Sequence, residues 1–118
     1  MQKIFISTVL LIFCSTMVFA ADKVAGTWDA SIETENGPFE FQIVYNVEGA
    51  KISGRFVTDM GDLEFGPGKI TGKEFEYEFE FDYTTYKHKG ILINDDEILI
   101  KQTKDGETTE FTIKRAKG

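Results

Sequence analysis

Cysteine is all but missing from these 118 residues: Cys14 is the single one, and it stands near the start. No disulfide can form within the chain, although secreted domains of this size often lean on them. Histidine and tryptophan also occur once each, as His88 and Trp28. One histidine and one thiol cannot make a zinc site of the usual ligand count, so no metal and no cofactor is expected. Cations are the minority charge, with 13 Lys and Arg against 20 Asp and Glu and a net charge of −7. Such a surface repels nucleic acid and anionic membranes, and neither is expected as a partner. No serine or cysteine stands at a motif spacing from a base. The glycines are scattered over turns and strands, and none forms a phosphate-cradling cluster. A non-enzymatic role follows as the expectation.

Apolar runs are confined to the N-terminus. Lys3 is followed by Ile4 to Phe13, broken by Ser7 and Thr8, and Val18-Phe19-Ala20 ends the segment. A positive start, an apolar stretch and a small residue at the cut describe a secretory signal peptide. Residues 1–20 are assigned to it, with cleavage after Ala20 preferred and after Ala21 next. An uncleaved anchor is the alternative, but Cys14-Ser15-Thr16 weakens the apolar run and no basic cluster follows. A lipid anchor on Cys14 is disfavoured because Phe13 precedes it. The expected location is secreted or periplasmic, with no integral membrane span after cleavage. The mature chain then loses its cysteine and Lys3, and its net charge falls to about −8 by the count above.

Residues 21–118 form one domain in which almost every segment alternates with a period of two, the strand signal. Val24, Gly26, Trp28, Ala30 and Ile32 share one face of a first strand; Phe39, Phe41, Ile43, Tyr45 and Val47 share a face of the second. Phe75, Tyr77, Phe79 and Phe81 alternate with Glu74, Glu76, Glu78 and Glu80. The glutamates read as a solvated face that discourages edge-to-edge pairing, since carboxylates along one strand face do not converge on an ion. Gly66-Pro67-Gly68 interrupts the fourth strand and predicts a bulge or a break. Eight strands with short links predict an all-β, antiparallel, up-and-down β-barrel, closed to remove both edges. A two-sheet β-sandwich is the alternative.

Gly26-Thr27-Trp28 opens the first strand, and Arg115 ends the last. In this the chain resembles the lipocalin-type (calycin) superfamily of lipocalins, fatty-acid-binding proteins and, more distantly, avidins. The resemblance implies that Gly26, Trp28 and Arg115 close one barrel end, the arginine packing across the indole. There are departures. The chain is short, no helix follows or caps the barrel, and no Arg-x-Tyr pair receives a carboxylate near the C-terminus. The one tryptophan also speaks against biotin.

His88 shares its phase with Tyr86 and Leu92 and so points inward, where a titratable group is unexpected. Two roles are open to it: a polar anchor in a ligand cavity, with Tyr45, Tyr77 or Tyr86, or a core histidine satisfied by a hydroxyl or a backbone group. Phe39, Phe41, Phe56, Phe65, Phe75, Phe79, Phe81 and Phe111 are expected inward too. Either these rings fill the barrel or they line a hole in it. The first expectation is an exported binding protein for a small apolar or amphipathic ligand in or at the mouth of the barrel. The alternative is a packed barrel that serves as a protein–protein interaction or inhibitor module. A small hydrolase or isomerase using His88 is a third.

Overall fold

The computed structural model describes residues 21–117, so the signal-peptide assignment to residues 1–20 lies outside the described residues. Eight strands follow one another: β1 (Gly26–Thr34), β2 (Gly37–Glu48), β3 (Lys51–Thr58), β4 (Gly61–Thr71), β5 (Glu74–Phe81), β6 (Thr84–Asn94), β7 (Glu97–Lys104) and β8 (Glu107–Arg115). Each pairs antiparallel with its sequence neighbours, and β8 returns to β1, so the sheet is a closed up-and-down barrel and not a sandwich. Every link between consecutive strands is two residues long. Such links demand left-handed backbone, which Asp82 and Tyr83 supply at φ 53° and 61° between β5 and β6.

The first strand begins later than its sequence period suggests. Residues 21–25 form a turn led in by helical Ala21 and Asp22 instead, with Val24 N donating to Ala21 O at 3.0 Å. The fourth strand runs unbroken through Gly66-Pro67-Gly68. Proline has no N–H to donate to a ladder, and two consequences appear on either side of it. The β3–β4 register shifts between Ile52 and Gly54. The β4–β5 ladder spans only Lys69↔Glu76, Ile70↔Phe75 and Thr71↔Glu74, leaving the other half of that seam unpaired. A second shift, between Leu92 and Asn94, bends β6 against β7.

The interior is layered by side-chain type. Trp28, Ile43, Ile52, Ile98, Ile100 and Ile113 are wholly buried toward the end that holds both described termini. Tyr45, Phe65, Phe75 and Tyr77 sit among them and above, with Phe65 stacked on Tyr77 at 4.1 Å between centroids. Room for these rings comes from a missing side chain: a Cβ on Gly90 would lie 2.1 Å from Phe75 Cζ. The outer face of β5 carries exposed Glu74, Glu78 and Glu80, a polar face unlike the apolar band of a lipid-facing barrel. Among the described residues no helix is long and apolar enough to cross a membrane.

Candidate functional site

The two ends of the barrel differ. At the end where β1 starts and β8 stops, Arg115 lies over the Trp28 ring, its guanidinium carbon 4.3 Å from the centroid. Arg115 Nε donates to Asp95 O at 2.9 Å, and its terminal nitrogens donate to Lys23 O at 2.6 Å and Ala25 O at 3.4 Å. Trp28 Nε1 donates to Val24 O at 2.9 Å. Gly26 has φ 127°, and a Cβ there would stand 3.2 Å from the Arg115 guanidinium. One cation thus ties the turn at 21–25, the β6–β7 link and the indole into a plug. The geometry suits arginine, whose planar fork stacks on a ring while its N–H groups reach carbonyls at the edge.

The other end is open. A cavity of about 420 Å³ enters there, within the size range of small-molecule sites. Its wall is mostly apolar: Ile32, Phe39, Phe41, Phe56, Leu63, Phe79, Phe81 and Tyr86. Phe79 stacks on Tyr86 at 5.0 Å with planes 6° apart, and Phe56 meets Phe79 at 4.6 Å. Phe39 and Phe81, expected inward, line the cavity at its rim, where they are 40% and 51% exposed. Their alternation places them on the inner side, but at a height where the barrel has opened. Asp62 is the charged residue of the lining, and its carboxylate lies 3.5 Å from Arg55 Nε.

Besides Asp62, Thr34 and Thr58, the polar side chains of the cavity lining are His88 and Gln102. Behind them a chain of side chains runs toward the closed end. His88 Nε2 is 2.8 Å from Gln102 Oε1, His88 Nδ1 is 2.8 Å from Tyr77 Oη, and Tyr77 Oη is 2.7 Å from Tyr45 Oη. Tyr45, Tyr77 and His88 are all buried. Burial drives the pKa of His88 down to about 4, the hydrogen bond with Gln102 offsetting part of that, so the imidazole is neutral at pH 7. Burial likewise raises both phenols well above the ordinary tyrosine value. Every fully buried side-chain N or O among the described residues has a partner.

Of the residues picked out from the sequence, Tyr45, Tyr77 and His88 are joined in this chain, and Tyr86 stands apart from it in the cavity wall under Lys104, 5.5 Å away. Gln102 is the one sequence reasoning missed. Its signal was present: it continues the phase of Ile98 and Ile100 on β7, where a polar inward residue needs an explanation. Among the described residues no group of three His, Cys, Asp or Glu side chains is placed to hold a metal ion. No protein-family model matches the chain, and no curated protein or solved structure does either.

Proposed function

We propose that this barrel is an exported, non-enzymatic binding protein that holds a small apolar or amphipathic molecule in its open mouth. The observation that carries the proposal is the 420 Å³ cavity walled by phenylalanines. Apolar wall exposed to water is unfavourable by about 25 cal/mol per Å², and an apolar ligand recovers that energy. The kinship to lipocalin-type barrels belongs to the same proposal. Eight up-and-down strands and an arginine seated over the first-strand tryptophan support it. The interaction-module alternative finds less support. Away from the mouth, around which Phe39, Met60, Phe81 and Tyr83 are exposed, the outer face exposes two large apolar side chains, Ile91 and Ile93 on β6, short of the large patch that marks an interface.

Titration with the neutral dye Nile red tests the proposal. The parent protein is expected to enhance its emission, and Ile32→Glu, at the rim, to abolish the enhancement with the far-UV circular dichroism unchanged. An unresponsive parent, or a variant that binds as well as the parent, refutes it.

A further inference from the structure

The hydrogen-bonded chain behind the cavity has a direction, and the direction is fixed at its buried end. Hydroxyls and a neutral imidazole can be strung together in two ways. In one, Tyr45 donates to Tyr77, Tyr77 donates to His88 Nδ1, and His88 Nε2–H donates to the Gln102 carbonyl oxygen. In the other every bond reverses: the Gln102 amide donates to Nε2, Nδ1–H donates to Tyr77, and Tyr77 donates to Tyr45. The second leaves the Tyr45 proton without an acceptor, because Tyr77 is the one hydrogen-bond partner of that hydroxyl among the described residues. Tyr45 is 1% exposed, so water cannot take the proton either. An orphaned buried donor costs about 1–3 kcal/mol, whereas the first arrangement leaves only a spare lone pair on Tyr45.

The first direction therefore holds, and its consequence appears at the cavity. The Gln102 oxygen is committed to His88. Its amide nitrogen has no partner among the described residues, yet it is not a fully buried unpaired atom. On an inward-facing side chain that lines the cavity, this places two N–H donors at the inner face of a mostly apolar wall, in which the Thr34 and Thr58 hydroxyls already donate to Gly37 O and Gly61 O. No lysine or arginine lines the cavity, and the charged residue that does, Asp62, is an acid. A buried carboxylate without a cation is strongly disfavoured.

We infer that the ligand is an apolar molecule carrying an uncharged hydrogen-bond acceptor, such as a ketone, ester or amide carbonyl, that docks on the Gln102 amide. Fatty carboxylates are discriminated against. Gln102 is the specificity residue, and Tyr45, Tyr77 and His88 are positioning residues that hold its amide the right way round. This inference rests on the cavity proposal above.

Two measurements on the protein test it. The first is the long-range proton–nitrogen spectrum of the single histidine, which reports its tautomer without any ligand. Nε2–H is expected; Nδ1–H overturns the inference and leaves the cavity proposal standing. The second is displacement of Nile red by 2-nonanone, 1-nonene and nonanoate from the parent, Gln102→Leu and Gln102→Glu. The Glu variant keeps an acceptor for His88, which guards against a Leu variant that fails to fold. The ketone is expected to bind the parent best and to weaken about three- to tenfold in both variants, as the loss of one hydrogen bond predicts. The alkene is expected to be unmoved by Gln102→Leu. Equal weakening of ketone and alkene in Gln102→Leu, or nonanoate outcompeting the ketone at pH 7.5, overturns the inference. If neither neutral compound binds the parent, the cavity proposal falls and takes this one with it, even where the tautomer is Nε2–H.

Discussion

Acid should loosen this fold through one side chain. The unfolded chain binds a proton on His88 at the ordinary value of 6.5, whereas the buried imidazole waits until about pH 4. Between these values the unfolded state holds more protons than the native state, so stability rises with pH and is lost as pH falls. The gap from 6.5 to about 4 is worth about 3 kcal/mol in full, reached below pH 4, with about 2 kcal/mol already gone at pH 5. For a domain of this size, with an m-value of roughly 1–3 kcal/mol/M, that loss moves the urea midpoint by about 1 M between pH 7.5 and 5. The parent should be compared with His88→Gln, which has nothing to titrate there. The variant is expected to be less stable at pH 7.5, but its deficit should shrink by about 2 kcal/mol at pH 5. Carboxylates elsewhere affect both proteins alike and cancel in the difference. A deficit that stays constant with pH refutes the reasoning, as does a histidine titration by NMR with its midpoint near 6.5.

Other expectations concern packing and the far end of the barrel. Gly90→Ala drives a methyl into the Phe75 ring and is expected to cost about 1–3 kcal/mol, most of it recovered in the Gly90→Ala/Phe75→Leu double variant; urea unfolding of both reads this. Arg115→Met removes the donors to Asp95, Lys23 and Ala25 and the cation over Trp28. It should cost about 2 kcal/mol and shift the fluorescence of the single tryptophan to the red, with Arg115→Lys only partly restoring it. At alkaline pH the raised phenols of Tyr45 and Tyr77 should keep absorbance at 295 nm below that of four ionised tyrosines while the protein is folded. Because their folded values lie above the unfolded value of 10, stability is lost as pH rises past 10.

How far the sequence reaches is visible in particular residues. The alternation of Phe75, Tyr77 and Phe79 with glutamates is enough to place those rings inward, because side-chain direction along a strand has a period of two. Pro67 is enough to predict disrupted pairing, because a missing N–H is a local fact. Height within the barrel is not local. Phe39 and Phe81 have the right phase, yet they stand at the rim, because strand tilt and register decide how far along the axis each inward residue sits. The partnership of Tyr45, Tyr77, His88 and Gln102 joins β2, β5, β6 and β7, and no spacing in one dimension encodes it. Gln102 was hidden by its own polarity, since a search for apolar alternation on β7 stops at Ile100.

The asymmetry between the two ends has a simple topological source. Seven links of two residues each carry no chain that could reach across a barrel opening. Among the described residues, the turn at 21–25 is the segment outside the strands and their links with enough length to cover one. It is bound at the β1 start by Arg115 and Trp28, so that end is sealed. Among the described residues the opposite end is left with side chains and two-residue links alone. The unpaired half of the β4–β5 seam, set by Pro67, lies on that same side and lets the wall stand apart where the phenylalanines gather. A barrel this small would ordinarily be filled by its own residues. Here the plug draws Trp28 and the isoleucines to one end, and at the other Phe79 stacks on Tyr86 and Phe56 meets Phe79 along the wall without filling the mouth. The cavity is what remains when the described residues, with no spare loop among them, close only one of the two ends.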